Sequence, residues 1–163
     1  MGQVDSGKLE FRPAPLDIVA FCQTLMAELI QATGTTVHID FSTEGIDGSL
    51  VMDSKLLRHI LNNLLSNAIK YSPVDSSVQF TIQNTGSESI FRIQDHGIGI
   101  PETDQAHLFE TFFRASNAKN IRGTGLGLAI VKQSAELHGG TITFESEEGS
   151  GTTFVVTLPL AVA

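Results

Sequence analysis

The chain has 163 residues, of which 10 are Lys or Arg and 18 are Asp or Glu, giving a formal net charge of −8, and 41% are hydrophobic. This length and composition predict one globular domain, and the acidic balance disfavours duplex nucleic acid or an anionic membrane surface as the main partner. The single cysteine excludes an internal disulfide, and no apolar run approaches the ~20 residues of a membrane-spanning helix.

The N-terminal part of the chain divides into a short linker and a helix. Residues 1–14 show little periodicity and are expected to be a linker segment before a domain that spans residues 15–160. From Pro15 to about residue 33, apolar residues recur at helical spacing, and Gly34 follows. Because proline in the first turn and glycine after the last are typical of helix ends, a helix is predicted between them.

The second predicted helix, over about residues 53–71, has the broadest apolar stripe in the chain. Either Asp53 or Ser54 is expected to cap its start, and Ser72 followed by Pro73 is expected to end it. Such a wide stripe indicates a helix that packs along its length against the core.

The remaining elements combine strands with two further helices. The predicted strands occupy residues 37–41, 50–52, 78–83, 90–94, 141–145 and 153–158, and the two helices occupy about residues 101–113 and 125–138. The last four strands are expected to form two antiparallel hairpins. This mixture predicts an α+β domain, with a sheet covered on one face by helices.

Three polar residues share one face of the 53–71 helix, beside its apolar stripe. Asn63, Asn67 and Lys70 stand at i, i+4 and i+7, which brings them together at 100° per residue. A carboxamide oxygen can bind Mg²⁺, and the ammonium can contact the phosphates that Mg²⁺ bridges. A solvated helix face with asparagine as filler explains the pattern equally well.

An acidic residue and two glycines follow the strand at residues 90–94. The Asp95 carboxylate can accept a hydrogen bond from an exocyclic amine such as that of adenine. Gly97 and Gly99 allow a flat ring or a backbone to approach closely. Taken alone, this fragment is more typical of an ordinary turn.

A glycine-rich stretch, residues 123–128, opens the helix predicted at about residues 125–138, and a basic loop precedes that stretch. Free N–H groups at a helix start favour phosphate, although a loop that needs only flexibility has the same composition. Residues 114–122 hold three basic side chains and no acid, which suits contact with an anion or is a chance cluster. Before this loop, the aromatic residues of segment 109–113 are most typical of core packing.

The order of these motifs resembles the ATP-binding catalytic domain of sensor histidine kinases, in the group that includes DNA gyrase, MutL and the heat-shock ATPase chaperones. The resemblance covers about residues 8–160. It implies the Bergerat fold, a two-layer α/β sandwich in which three helices cover one face of a mixed, mostly antiparallel sheet, with a lid over ATP. The matching stretches are residues 63–71, 95–99, 109–114, 123–127 and 151–152.

The resemblance implies ATP and Mg²⁺ as ligands and assigns a role to each matching residue. Asn67 is the expected Mg²⁺ ligand, Asn63 supports the metal or the phosphates, and Lys70 and Tyr71 contact phosphate or ribose. Asp95 binds the adenine amine, assisted through water by Thr152. The lid residues Arg114, Lys119 and Arg122 are candidates for contact with the γ-phosphate. The residues expected to take part in catalysis are Asn63, Lys70 and Arg114. Further nucleotide contacts are expected from Gly97, Gly99, Ile100, Phe109, Gly123, Thr124, Gly125, Leu126, Gly127 and Leu128.

One position separates phosphoryl transfer from hydrolysis in this group. The hydrolysing members carry a water-activating Glu four residues before the metal-binding Asn, and here that position is Asn63. Without a general base, water is a poor nucleophile. The resemblance therefore implies a protein-histidine kinase of a two-component system rather than an ATP-hydrolysing machine.

No residue of the chain matches the family's phosphoacceptor histidine, which an acid follows. The expected partner is therefore a dimerisation and phosphoacceptor domain elsewhere in the parent protein, with a response regulator downstream. We expect the isolated domain to be a cytoplasmic monomer, without nucleic acid or direct membrane contact, whether or not its parent is membrane-anchored. None of the five histidines is followed by an acid, since the next residues are Ile39, Ile60, Gly97, Leu108 and Gly139.

Two alternatives share the same nucleotide site. One is a serine kinase of the anti-sigma-factor type, which the stretch at residues 7–11 disfavours because it resembles the segment after a kinase dimerisation helix. The other is a nucleotide-dependent interaction module without turnover.

Overall fold

A computed structural model describes residues 11–46, 48–110 and 127–160 of the chain. Strands and helices are interspersed along these segments. They are β1 (Ala14–Leu16), α1 (Ile18–Thr33), β2 (His38–Glu44), β3 (Leu50–Met52), α2 (Ser54–Tyr71), β4 (Ser77–Asn84), β5 (Glu88–Gln94), α3 (Glu102–Gln105), α4 (Gly127–Leu137), β6 (Thr141–Glu147) and β7 (Gly151–Pro159).

Five of the strands form one sheet, in the order β2-β4-β5-β7-β6. β2 and β4 are parallel, whereas the other three neighbouring pairs are antiparallel. β1 and β3 pair separately as a two-stranded antiparallel sheet. The main sheet is therefore mixed and mostly antiparallel, and it contains both predicted hairpins, β4–β5 and β6–β7.

Helices α1, α2 and α4 pack on the same face of this sheet. Their buried side chains, such as Leu25, Leu61 and Val131, join one core with Phe80 and Phe91 of the central strands. Burial alternates along β4 and β5, so only one face of these strands contributes to that core. Each such side chain contributes about 1.5–3 kcal/mol when it is removed from water. The predicted two-layer α+β architecture with three covering helices is confirmed.

The ends of the helices follow local signals in the sequence. Asp53, one of the two expected caps, accepts hydrogen bonds from the backbone N–H groups of Lys55 and Leu56, at 2.9 and 3.0 Å. Gly34 ends α1 in the left-handed conformation, with a φ of 63°. Among the described helices, none combines the length and the apolar character that crossing a membrane requires.

The predicted start of the first helix at Pro15 is wrong. Pro15 lies in β1, opposite Val51, and the helix begins at Ile18 with Asp17 as its cap. Proline favours an extended conformation in the residue before it and is tolerated in an edge strand. β1 thus begins at residue 14 and crosses the expected boundary between linker and domain.

The predicted helix over residues 101–113 is also wrong in its described part. α3 ends at Gln105, after which Leu108 and Glu110 donate backbone hydrogen bonds to residues three positions earlier. Leu108 is buried in the core, and the Gln105 side chain is used in contacts with other segments. The chain therefore continues as turns, and the remainder of the predicted helix lies outside the described residues.

A buried histidine joins the C-terminal end of α4 to the start of α2. His138 Nε2 accepts a hydrogen bond from the backbone N–H of Asp53, at 3.1 Å, so this nitrogen carries no proton. The ring of Phe11 packs edge-on against it, with the ring centroids 4.8 Å apart. Burial lowers the pKa of His138 below its ordinary value, so the neutral imidazole is the form that fits this junction.

Acidification is expected to destabilise the domain through His138. Its native pKa is lowered, so below about pH 6.5 the unfolded chain takes up a proton before the folded domain does, and the free energy of unfolding falls. Urea unfolding at about pH 7.5 and pH 5.5 checks this, since a histidine in the unfolded chain, with its ordinary pKa of about 6.5, gains its proton between them. His138→Gln should reduce the decrease in the free energy of unfolding between these two pH values. His38→Gln, which alters an exposed histidine, should not. Equal losses in all three proteins would contradict the assignment. Burial also lowers the pKa of His59, which should leave some pH dependence in His138→Gln.

Candidate functional site

The polar face of α2 is present as the helical spacing predicts. Asn63 and Asn67 are half-buried and Lys70 is exposed. Asn63 Nδ2 donates to the backbone carbonyl of His59 at 2.7 Å, which fixes the amide and leaves its Oδ1 directed away from that carbonyl. The Lys70 ammonium lies 5.5 Å from the centre of the Tyr71 ring. These side chains form a surface of amide groups with positive charge at one end.

Asn67 differs from Asn63 in its surroundings. Within residues 11–46, 48–110 and 127–160, no group forms a hydrogen bond with the Asn67 side chain, although that side chain is half-buried. An amide without a partner at this depth retains its full capacity to coordinate a cation or to bind a ligand.

The carboxylate of Asp95 is buried at the end of β5. Its Oδ1 accepts two backbone hydrogen bonds, from Gly97 at 2.9 Å and from Thr152 at 3.2 Å. Burial raises the pKa of Asp95, and these two bonds oppose the shift only in part. In the described part of the chain nothing donates to Oδ2, so one oxygen is held in place and the other can accept a ligand's donor.

The two glycines after Asp95 are required by close backbone contacts. A Cβ on Gly97 would lie 2.2 Å from the carbonyl oxygen of Tyr71, and one on Gly99 would lie 2.1 Å from that of Glu147. Gly99 also has a φ of +69°. The atoms that approach both glycines therefore belong to the protein's own backbone. The loop packs between α2 and the β6–β7 hairpin.

The start of α4 lies against the amide face of α2. A Cβ on Gly127 would stand 2.9 Å from Asn63 Oδ1, so a glycine there allows this amide to approach α4. Leu128 is half-buried and packs against the core. The other predicted contacts of this region, Arg114, Lys119, Arg122, Gly123, Thr124, Gly125 and Leu126, lie outside the described residues.

Three further predicted residues lie around the β6–β7 hairpin. Thr152 is buried and bonded to Asp95, and Ile100 is buried at the end of residues 95–100, the Asp95 loop. Phe109 packs edge-on against Phe144 of β6, with the ring centroids 5.8 Å apart. Phe109 thus contacts the core, as the aromatic pattern indicated, and a nucleotide contact for it stays a prediction.

Two residues that sequence reasoning missed connect these parts. Ser146 Oγ accepts from the backbone N–H of Ile100 at 2.8 Å and lies 2.8 Å from Thr152 Oγ1. Gln105 Nε2 donates to the carbonyls of Ile100 and Ser146, at 3.0 and 3.1 Å. The predicted hairpin contained the signal for Ser146, because its turn places that residue opposite Thr152. No local pattern indicated Gln105.

These contacts join the four segments that carry most of the described candidates: α2, the loop after Asp95, β7 and the start of α4. The Tyr71–Gly97 contact joins α2 to the Asp95 loop, Thr152 joins β7 to Asp95, and Gly127 joins α4 to Asn63. The arrangement can recognise an amine through the carboxylate and bind a metal–phosphate group along the amide face. Over residues 11–46, 48–110 and 127–160, no three His, Cys, Asp or Glu side chains form a metal-binding group.

Comparison with known proteins identifies a family for this arrangement. Residues 52–162 match the family described as histidine kinase-, DNA gyrase B- and HSP90-like ATPase. The circadian input-output histidine kinase CikA of Synechococcus elongatus is 39% identical over 98% of this chain. The sensor histidine kinase WalK of Bacillus subtilis is 36% identical over the same share. The chain spans only 22% and 27% of the lengths of these two relatives.

Solved structures show the same likeness in three dimensions. A mycobacterial sensor histidine kinase, MprB, superposes with a TM-score of 0.79 and 28% identity, covering 92% of this chain and all of that one. Full-length ShkA in complex with AMPPNP gives a TM-score of 0.77 with 30% identity, covering 94% of this chain and 32% of that one. The chain belongs to the family of histidine kinase-, DNA gyrase B- and HSP90-like ATPases, and it is an ATP-binding domain homologous to the catalytic domains of sensor histidine kinases.

Proposed function

We propose that the domain binds ATP with Mg²⁺ and transfers the γ-phosphoryl group to a histidine on a separate dimerisation and phosphoacceptor domain. The observation that carries this proposal is the state of Asp95. Its Oδ1 is held by two backbone N–H groups, and in the described segments its Oδ2 has no donor, which fits the amine of adenine.

Asn67 fits the expected metal ligand. Its amide is half-buried beside Asn63, and none of the described residues uses its side-chain oxygen. A single amide oxygen suits Mg²⁺, which usually keeps several waters and takes its other ligands from phosphate groups. When bound, Mg²⁺ would neutralise charge on the phosphates and help to orient them. Asn63, which lies against Gly127, would support the same group from the neighbouring turn.

The transfer itself needs positioning more than acid–base chemistry. The bond between the γ-phosphorus and the β–γ bridging oxygen breaks, an imidazole nitrogen forms the new bond to phosphorus, and ADP leaves. Lys70 would add positive charge at the phosphates, and Arg114, Lys119 and Arg122 are proposed to do so from the lid. The described contacts of Asn63 include no carboxylate that could activate water, which supports transfer to a protein over hydrolysis.

The partners of this activity follow from the proposal. The acceptor would be a dimerisation and phosphoacceptor domain of the parent protein, and the phosphoryl group would pass from it to a response regulator. Multidomain relatives that are several times longer than this chain support such an arrangement. We propose a cytoplasmic location for the domain and a monomeric state when it is isolated.

Radiolabelled ATP and Mg²⁺, mixed with this chain and the parent's phosphoacceptor domain, test the proposal. We expect label on the acceptor that is lost in acid and retained in alkali, because a phosphoramidate has that stability, and little free phosphate. Label that survives acid would indicate a serine kinase. ATP binding without labelled acceptor would indicate an interaction module, and rapid phosphate release would indicate a hydrolysing enzyme. Each of these three results would contradict the proposal.

A further inference from the structure

We propose that Ser146 is a positioning residue that directs the hydroxyl proton of Thr152 towards the adenine base. The proposal rests on the proposed function, because it deepens how the same site recognises ATP. The proton would be donated to the ring nitrogen N1, directly or through one water molecule. Ser146 would thereby help to select a base that has an acceptor at this position.

The hairpin register brings the two hydroxyl groups together. Ser146 of β6 is paired directly with Thr152 of β7, so their side chains share one face of the sheet. Their oxygens are 2.8 Å apart, which is an ordinary hydrogen-bond distance. This contact therefore connects β6 to the residue that also binds Asp95.

Ser146 has one hydroxyl proton, and the acceptor of that proton decides which of the two hydroxyl groups is the donor. Ser146 Oγ already accepts from the N–H of Ile100, and its one proton can go either to Thr152 Oγ1 or to the carbonyl of Gly151. The distance to the Gly151 carbonyl is 3.1 Å, beyond the usual range for a hydroxyl donor, whereas that to Thr152 is 2.8 Å. Because the contact with Thr152 is the shorter of the two, we place the Ser146 proton there, which leaves the proton of Thr152 available for a ligand.

Gln105 holds the backbone of Ser146 beside that of Ile100. Both protons of its amide are used, one on the carbonyl of Ile100 and one on the carbonyl of Ser146. A side chain from α3 thus ties the segment of Ile100, whose N–H donates to Ser146 Oγ, to the strand that carries Ser146. A hydroxyl with so few free torsions is a preorganised group rather than a freely rotating one.

The polarity of the resulting edge matches adenine. Asp95 N donates to the carbonyl of Thr152 at 2.9 Å, and Thr152 N donates to Asp95 Oδ1, so the two residues are locked side by side. The carboxylate presents an acceptor and the hydroxyl presents a donor. Adenine offers a donor at its amine and an acceptor at N1, whereas guanine and hypoxanthine carry a proton at N1.

The test compares ATP with 1-deaza-ATP, which keeps the amine but has C–H in place of N1. Calorimetry on the whole chain should show that the wild type binds 1-deaza-ATP about three- to tenfold more weakly, the loss expected for one hydrogen bond. Ser146→Ala should reduce the ratio of the dissociation constants for 1-deaza-ATP and ATP to about two or less. That is close to the ratio expected for Thr152→Val, which lacks the hydroxyl. Ser146→Thr, which restores a hydroxyl, should retain it. Ser150→Ala, at an exposed serine of the same hairpin, should behave as the wild type.

The outcomes separate this inference from the proposed function. A wild type that binds both nucleotides equally would overturn the inference without any variant. An equal loss for both nucleotides in Ser146→Ala would also overturn it, since a merely structural role weakens both. A wild type that binds neither nucleotide would instead contradict the proposed function itself.

Discussion

Replacing Asp95 with asparagine is expected to weaken ATP binding by about 100-fold or more while the domain stays folded. The variant's amide oxygen can still accept from Gly97 and Thr152, so the local backbone keeps its hydrogen bonds. At the Oδ2 position, however, an NH₂ group replaces an acceptor and meets the amine of adenine as a second donor. Loss of a hydrogen bond to a charged group, with two donors left facing each other, accounts for a change of this size.

Calorimetric titration with ATP and Mg²⁺ measures this loss, and urea unfolding shows that the fold is retained. Asp40→Asn is a matched control, because Asp40 is an exposed aspartate on the edge strand β2. It should bind ATP as the wild type does. An Asp95→Asn variant that binds within about threefold of the wild type would contradict the assignment, because that is less than one hydrogen bond to a charged group.

The raised pKa of Asp95 gives the site a pH dependence that differs from that of His138. Burial makes the folded domain hold a proton on Asp95 more tightly than the unfolded chain does. Acidification therefore raises the contribution of this residue to the free energy of unfolding. The same protonation removes the acceptor that adenine needs. ATP affinity should therefore fall on acidification through Asp95, whereas the domain's stability should fall through His138. Measuring both quantities over one pH series separates the two residues.

Local signals predicted the parts of the fold that depend on local interactions. The apolar stripe, the Asp53 cap and the following proline define α2 within one or two residues of its observed bounds. β1 and α3 were mispredicted because pairing with β3 and burial of Leu108 decide their structure, and both are contacts with distant segments. Helical spacing does not indicate these contacts, because it describes only residues that are close along the chain.

The candidate site shows the same division. The amide face of α2 is a consequence of helical spacing, and the structure retains it. For the glycines of the Asp95 loop, close approach of either a flat ring or a backbone was predicted, and their closest neighbours are the backbone carbonyls of Tyr71 and Glu147. Gln105 has no local motif, because its role arises from two carbonyls that only the tertiary fold brings together.

Replacing Asn67 with alanine is expected to abolish the Mg²⁺ dependence of ATP binding and to lower phosphoryl transfer by about 100-fold or more. A metal that neutralises phosphate charge contributes several kcal/mol to the transition state, and Asn67 is its proposed protein ligand. Binding of ATP without Mg²⁺ should change little, since the adenine contacts are elsewhere. The fold should tolerate the change, because alanine favours helix and none of the described residues bonds to the Asn67 side chain.

Asn62→Ala is the matched control for this prediction, since Asn62 is the preceding residue of α2 and is exposed. Titrations of each protein with ATP, in the presence of Mg²⁺ and of a chelator, separate the metal from the nucleotide. A second variant, Asn67→Asp, keeps an oxygen ligand and should retain part of the Mg²⁺ dependence that Asn67→Ala loses. If Asn67→Ala and Asn67→Asp weaken binding equally with and without Mg²⁺, Asn67 supports the shape of the site and does not hold the metal. If only the alanine variant loses the Mg²⁺ effect, the side-chain oxygen itself is the ligand, and the amide face of α2 is the metal–phosphate side of the site.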